Sequence, residues 1–345
     1  MSKNQWYPVR RLVHLNGGLK AINNPGAKVS LAPSTIDLKT AQFNLPTYKS
    51  LLAILNSLKF KIIGVDYYSH PEQISGIYPP EWYSYGRLMT ASNLIKDPAL
   101  SWSNIAFQAE RERKYHLADI SRRIRFQLKA CEVRLRDISQ AYNQELTSIC
   151  RKCDFNDGNH FKSLNTFDIY LAIHSYLYES CSLRNYFAEY ISLFVFKNYP
   201  DVNIFTMANL RKKILKSEYT SDDFANKLYQ ATDPKTGWIA KLGHYRDLIV
   251  HYVPLPQASN YSYLLQKSVN IDMDKKLPSI MLPLPDNPLE IMGIRNNNSH
   301  LTSKEKDQEE FIEKIKQNLM ESLNQTDALE YCSYSMEKLM ELSTD

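Results

Sequence analysis

The sequence has few of the features that mark membrane, secreted or disulfide-rich proteins. Its longest apolar run, ISLFVF at 191–196, is far too short to cross a bilayer. The opening MSKNQWYPVRRLVHLNGG has no apolar segment of the kind that secretion signals carry. Five cysteines, an odd number, do not indicate a disulfide framework. We therefore expect a cytoplasmic protein without a membrane segment.

Several catalytic motifs are also missing. The sequence has no phosphate-binding glycine loop, no GxSxG and no HExxH. The pair in CRKC, Cys150 and Cys153, is a lone CxxC, whereas a structural zinc site needs a second pair of ligands. We expect neither a metal nor a cofactor, and we interpret these cysteines as small residues at a helix end.

What is present is a globular composition, 43% hydrophobic and 23% charged, with an uneven distribution of the net charge of +5. Residues 1–300 carry 37 Lys and Arg against 26 Asp and Glu, whereas residues 301–345 carry 5 against 11. A basic body with an acidic tail suggests a polyanionic partner with which the tail competes. A solvated C-terminal helix explains the tail more simply, and charge alone favours that interpretation.

Hydrophobic periodicity predicts an all-α antiparallel bundle over residues 103–345. Spacings of three and four predict one amphipathic helix from Ser103 to Asp157, on the order of 70 Å long. Its apolar stripe comprises Leu117, Ile120, Ile124, Leu128, Cys131, Leu135, Ile138, Tyr142, Leu146 and Ile149. The next segment, 164–199, is apolar nearly all round and predicts a buried helix, or two helices with a junction near Ser180. Its polar residues, which would need partners, are His174, Glu179, Arg184 and Glu189.

The flanking segments lack this periodicity. Residues 1–102, rich in Pro, Gly, Tyr and Asn, predict an irregular region packed on the bundle, with a short helix in LPTYKSLLAILNSLKF and a strand in FKIIGVDYY. Residues 256–300 predict an insert with a hairpin, SVNIDMDKKLPSIMLPL, and a polar loop, RNNNSH. A C-terminal helix is expected over 303–342, with a break at NQTD.

The stretch HYRDLIVHYVP, residues 244–254, sets charged groups into an apolar pattern. Asp233 as N-cap, Pro234 in the first turn and Pro254 as a stop predict a helix over 234–253. The predicted core seam comprises Trp238, Leu242, Tyr245, Ile249 and Tyr252, and a polar ridge comprises Lys241, His244, Asp247 and His251. At i, i+4 spacing the Asp247 carboxylate can orient the His251 imidazole. Arg246 lies about 140° around the helix from His251.

RDLIVH, residues 246–251, resembles the R-x4–6-H motif of the HEPN superfamily. The resemblance covers about residues 103–345 and implies a helical bundle that cleaves RNA without a metal, at a composite site between two copies of the chain. It further implies a role in anti-phage defence or toxin–antitoxin systems, with an antitoxin or regulatory protein as a partner. We expect catalytic roles for Arg246, Asp247 and His251, and RNA binding by His244, Lys241 and Tyr252.

Two other stretches, RERKYH at 111–116 and RNNNSH at 295–300, also fit the bare motif, of which about one copy is expected by chance. Only RDLIVH combines a well-delimited helix with an apolar seam. A non-catalytic HEPN-like module that binds a partner protein or nucleic acid remains an alternative, as does a helical scaffold unrelated to HEPN. In YPPEWYSYGR, Trp82 and the tyrosines either stack on bases beside Arg87 or pack a loop, and we favour packing.

Overall fold

Helices and β-sheets both contribute to this protein, so the predicted all-α bundle is wrong. A computed structural model describes residues 10–24, 28–33, 41–45, 47–87, 97–152, 155–196, 204–213, 223–258, 263–272, 275–298 and 325–344. Within these ranges, one antiparallel sheet has six strands and a second has three. The helices pack against both sheets.

The six-stranded sheet lies in the region predicted to be irregular. Its strands are β1 (Arg10–Leu15), β2 (Lys20–Asn24), β3 (Lys28–Ala32), β4 (Ala41–Asn44), β5 (Ile62–Tyr68) and β6 (Glu81–Ser84), in the order β4-β3-β2-β1-β5-β6. The predicted strand, β5, and the predicted short helix, α1 (Tyr48–Ser57), are confirmed; a single turn, α2 (Pro71–Ile74), follows β5. The other strands have four to six residues and contain few β-branched side chains, so no periodic pattern marks them.

The described helices beyond the sheet are α3 (Pro98–Arg111), α4 (Tyr115–Lys152), α5 (Thr166–Tyr190), α6 (Met207–Lys213), α7 (Asp223–Ala231), α8 (Trp238–Asp247), α9 (Leu255–Ala258), α10 (Pro288–Asn298) and α11 (Ala328–Leu342). The single helix predicted from Ser103 to Asp157 is wrong. Arg113 has a φ of 57°, in the left-handed region, which interrupts the helical hydrogen bonds between α3 and α4. Helix α3 therefore folds back along α4.

Helix α4 is the element on which the other layers pack. Its 38 residues span about 57 Å, and it contacts α3, α5, α11 and strands of both sheets. Nine of the ten positions predicted for its apolar stripe are buried, and Leu117 is half-buried. The predicted periodicity is thus confirmed within α4. The buried helix predicted after it is confirmed as α5, which continues into a π-helical turn, Ile191–Val195.

The turn between β1 and β2 allows the sheet to approach α4 closely. Gly17 and Gly18 have φ values of 68° and 82°, which L side chains rarely adopt. A Cβ atom at Gly18 would lie 2.8 Å from the carbonyl oxygen of Tyr142 in α4. Glycine is therefore required here both for the backbone conformation and for the contact.

The second sheet contains the predicted hairpin, β8 (Leu264–Asp272) and β9 (Lys275–Met281), with β7 (His160–Phe161) beside β8. RNNNSH was predicted to be a loop, but residues 295–298 form the last turn of α10, which Pro288 begins; residues 299 and 300 lie outside the described ranges. The C-terminal helix is confirmed for α11, which starts after the N-cap Asp327. The stretch of it predicted over 303–324 lies outside the described residues.

Four polar side chains join the large sheet to α4. His14 in β1 donates from Nε2 to Asp66 Oδ2 in β5 at 3.1 Å, and its Nδ1 accepts from the Ser139 hydroxyl in α4 at 3.0 Å. Arg136, one turn before Ser139, lies with Nε 2.9 Å from Asp66 Oδ1. Ser139, His14 and Asp66 are hydrogen-bonded in the same order as the serine, histidine and aspartate of a hydrolase triad. However, each of these residues is at most 2% exposed. We therefore interpret the cluster as structural.

We predict that this cluster makes the protein sensitive to acid. Burial lowers the pKa of His14 from 6.5 to about 4. Between these values the unfolded chain binds a proton at His14 and the folded protein does not, so stability falls as the pH drops from 6.5 to about 4. The full loss is about 3 kcal/mol. Urea unfolding at pH 7 and pH 4.5 measures most of this loss.

His14→Gln removes this titration, so its free energy of unfolding should vary less with pH over the same window than that of the wild type. His116→Gln is the matched control, because His116 is exposed on α4 and should leave the slope unchanged. Equal slopes for wild type and His14→Gln would contradict the assignment.

Candidate functional site

Helix α8 carries Arg246 and Asp247, and the π-helical turn that follows it carries His251; the helix begins later than expected. Asp233 does not cap the helix. Its Oδ1 accepts from the backbone N–H groups of Lys235 and Thr236, both at 3.0 Å, and so closes a separate turn. The helix starts at Trp238, after the extended N-cap Gly237.

The buried face of α8 differs from the predicted seam at both ends. Leu242, Tyr245 and Ile249 are buried as expected, and the Tyr245 hydroxyl donates to the carbonyl oxygen of Pro285 at 2.7 Å. Trp238 is half-buried and Tyr252 is exposed, whereas Ile239 and Leu248 complete the buried face. The prediction for Tyr252 was wrong because it assumed uniform α-helical geometry to the end of the segment.

The motif itself crosses a change in helix type. Residues Leu248–Tyr252 form a π-helical turn, in which the Val253 N–H donates to the Leu248 carbonyl at 2.8 Å. A π-turn holds more residues than an α-turn, so residues five apart come nearer to one face than the 140° expected in a uniform α-helix. Such turns are frequent at functional sites. Arg246 lies just before this turn, and His251 lies within it, exposed to solvent.

Asp247 pairs with Arg246. Arg246 Nη1 donates to Asp247 Oδ1 at 2.7 Å, and the two side chains are 36% and 44% exposed. The predicted contact of Asp247 with His251 is not among the hydrogen bonds of the described residues, since the π-turn alters the i, i+4 relation on which it depended. The carboxylate thus orients the guanidinium, and it leaves the imidazole exposed.

Beside this pair lies a cavity of about 420 Å³ between α5, α6, α7 and α8. His244 and Asp247 line it, whereas the other predicted site residues, Lys241, Arg246, His251 and Tyr252, do not. Lys241 instead places Nζ 5.9 Å from the centre of the Tyr245 ring. The cavity wall also contains three basic side chains, Arg184, Arg211 and Lys212. The structure therefore brings a basic cavity next to Asp247 and its partner Arg246.

Arg184 packs closely against a glycine on the neighbouring helix. A Cβ atom at Gly243 would collide with Nη1 of Arg184, so a larger residue at this position would require the guanidinium to shift. The sequence already distinguishes Arg184, because it is one of few charged residues in the apolar segment that forms α5.

The other polar residues of α5 have partners. Glu189 receives two 2.8 Å hydrogen bonds from Arg123, Glu179 accepts from Gln127, and the Nε2 atom of His174 accepts from the backbone N–H of Leu255 at 3.4 Å. No ion pair of Arg184 is found in the described part of the chain, and its buried Nε lacks a hydrogen-bond partner there. Arg184 is thus the polar residue of this helix that faces the cavity without a protein partner.

The charges around His244 act on it in opposite directions. Desolvation lowers the pKa of His244, the Asp247 carboxylate raises it and the Arg184 guanidinium lowers it further. The net effect is a pKa below the usual 6.5, which favours the neutral imidazole at neutral pH. A neutral imidazole can donate one hydrogen bond and accept another.

The remaining sequence candidates lie elsewhere. RERKYH spans the exposed turn between α3 and α4, and the side chains of the RNNNSH stretch lie outside the described residues. Trp82 packs edge-on against His14 at 5.0 Å between ring centres, and Arg87 pairs with Glu132 and Asp97, which fits the packing interpretation.

Cys150 is half-buried at the end of α4, and Cys153 lies outside the described residues. Within those residues, no group of three His, Cys, Asp or Glu side chains could hold a metal.

A scan against protein-family models found no match, and neither the curated proteins nor the solved structures that were searched contain one that matches this chain. Across the described ranges, no helix combines the length and the apolar character needed to cross a membrane.

We predict that substitutions around His244 move its pKa in opposite directions. Asp247→Asn removes a charge that raises the pKa, so the pKa should fall; Arg184→Gln removes a charge that lowers it, so the pKa should rise. NMR titration of the histidine ring protons measures both effects. Lys227→Gln, on the exposed face of α7, is the control. A His244 pKa that is unmoved, or moved the same way by both substitutions, would contradict the described arrangement.

Proposed function

We propose that this chain is a metal-independent endoribonuclease of the HEPN type, with Arg246 and His251 as its catalytic residues. The observation that carries the proposal is the position of the motif: the half-exposed Arg246 is oriented by Asp247, which lines a cavity with basic walls, and His251 is exposed on the π-helical turn that follows α8. Exposure leaves both side chains available to a phosphodiester, and the neighbouring cations favour a polyanion.

The chemistry that suits these groups is transesterification. A neutral imidazole accepts the proton of the ribose 2′-OH, and the 2′-oxygen attacks the adjacent phosphorus. The bond to the 5′-oxygen breaks, and an imidazolium donates a proton to that leaving group. The guanidinium of Arg246 stabilises the charge that develops on the phosphoryl oxygens. The products are a 2′,3′-cyclic phosphate and a free 5′-hydroxyl.

One copy of the chain supplies only one motif histidine, whereas the reaction needs a base and an acid on opposite sides of the phosphorus. We therefore propose a homodimer in which two copies of Arg246 and His251 face one cleft. A cytoplasmic role in anti-phage defence or a toxin–antitoxin system, with an antitoxin or regulatory protein as a further partner, belongs to the same proposal.

A second candidate is a non-catalytic module that binds a partner protein or nucleic acid. The observation that favours it is the 2.7 Å ion pair between Arg246 and Asp247, because a guanidinium already paired with a carboxylate carries less free charge for a phosphate. RNA binding without cleavage by the wild-type protein would establish this candidate instead.

We predict that His251→Ala lowers the rate of RNA cleavage about 10²- to 10⁴-fold, the range for losing a positioned acid–base group. Arg246→Ala should lower it about 10²- to 10³-fold, the range for losing a group that stabilises developing charge. Purified protein is incubated with mixed RNA in EDTA, and the product ends are tested for a 2′,3′-cyclic phosphate. Arg111→Ala and His116→Ala are matched controls, because RERKYH has the same spacing on an exposed turn. Equal cleavage by all variants, or none by the wild type, would remove the proposal.

Mixing wild-type protein with an inactive variant tests the proposed homodimer. Adding an excess of His251→Ala to wild-type protein should lower the wild-type rate, since most wild-type chains then pair with an inactive partner. A rate that depends only on the amount of wild-type protein present would show that each copy acts alone. Adding His116→Ala in the same excess should not lower the wild-type rate.

A further inference from the structure

The cavity beside α8 has the size and lining of a small-molecule site. Its volume of about 420 Å³ lies within the range of roughly 300 to 1,000 Å³ that is usual for ligand pockets. Apolar side chains, among them Met207 and Ile239, form part of the wall. The polar groups of four helices project around them.

The charges in this cavity do not balance. Arg211 lies 3.4 Å from Asp233 Oδ2 and donates to Thr232 Oγ1 at 3.1 Å, and Asp247 is paired with Arg246. For Arg184 and Lys212 no carboxylate partner is found among the described residues. Two cations of the wall are therefore left to interact with water or with an anionic ligand.

Arg184 gives the stronger indication of a ligand. Its Nε is buried without an acceptor in the described part of the chain, and a buried donor of this kind normally has a partner that is a protein group, water or ion. A guanidinium presents parallel N–H groups that match the oxygens of a phosphate, and an ammonium such as that of Lys212 adds a point charge. The neutral His244 imidazole can donate a further hydrogen bond.

The same cavity has an aromatic surface. Tyr229 of α7 lines it and is 41% exposed, with the guanidinium of Arg211 stacked 3.9 Å from its ring centre. Aromatic rings and stacked guanidinium groups are the surfaces on which proteins hold nucleobases. A phosphate site and a stacking surface thus share one cavity.

We propose that this cavity binds a nucleotide, with its phosphate at Arg184, Lys212 and His244 and its base against Tyr229 and the apolar wall. The nucleotide is either free or one unit of a single-stranded RNA. The second source rests on the proposed function, because Asp247 joins this cavity to Arg246 and a strand held here would pass the motif.

Isothermal titration tests the proposal with probes that do not depend on cleavage. The full-length protein is titrated with each of the four nucleoside monophosphates, with inorganic phosphate, and with a short single-stranded RNA whose 2′-oxygens are methylated and which the proposed reaction cannot cleave. The expected result is that at least one mononucleotide binds more tightly than inorganic phosphate. Arg184→Gln and Lys212→Gln should each weaken this binding about 10- to 100-fold, the usual effect of losing a hydrogen bond to a charged group.

Lys227→Gln is the matched control: Lys227 is an exposed lysine of α7 that lines a different cavity, and its loss should not change the affinity. Binding of the methylated RNA but of no mononucleotide, if weakened by Arg184→Gln, identifies the strand as the source. The proposal is overturned if neither probe binds, if phosphate binds as well as every mononucleotide, or if both cavity variants bind like the wild type.

The outcomes for the cavity and for the proposed cleavage are separable. His251→Ala should retain nucleotide affinity while it loses cleavage, because His251 does not line the cavity. Cleavage by a protein that binds no nucleotide at this cavity would overturn the cavity proposal and leave the ribonuclease proposal standing. Nucleotide binding by a wild-type protein that cleaves no RNA would overturn the ribonuclease proposal and leave the cavity proposal standing.

Discussion

The contact between His14 and Ser139 ties the large sheet to α4, and on that helix the rest of the molecule is assembled. The bond lies in the interior, where an incomplete polar cluster is costly, and Asp66 and Arg136 complete it. With one side of α4 against the sheet, its apolar stripe packs against α5. The position of α5 then determines where Arg184 emerges. The contact between the sheet and α4 is thus connected through α5 to the cavity that Arg184 lines.

Helix α8 is held in a comparable way. Its Tyr245 ring packs edge-on against Tyr331 of α11 at 4.9 Å between ring centres, and its hydroxyl binds the Pro285 carbonyl. Gly243 lets Arg184 lie directly against the helix. These contacts pack the second half of α8 against its neighbours, and the chain then continues into a π-helical turn that carries His251. The motif therefore combines an arginine that is paired with Asp247 and a histidine on an exposed π-helical turn.

The proposed cleavage and the proposed nucleotide site share one residue. Asp247 orients Arg246 on one side and lines the cavity on the other. A strand whose nucleotide occupied the cavity would be held at several points, and such positioning accounts for much of the rate of phosphoryl-transfer reactions. Because His244 lies within the cavity and its pKa depends on Asp247, the protonation of His244 reports on the same connection.

Sequence patterns were sufficient to predict the buried stripe of α4, the apolar helix α5, the hairpin β8–β9 and the helix that carries Arg246 and Asp247. They were not sufficient for the six-stranded sheet, because short strands with mixed side chains are stabilised by neighbours far away in the chain. The sequence pattern also did not predict the π-helical turn, because the same residues fit an α-helix. Arg184 and Gly243, which are far apart in sequence, meet only in the folded protein. Sequence spacing sets which residues share a face of one helix, and only packing between helices decides which faces meet.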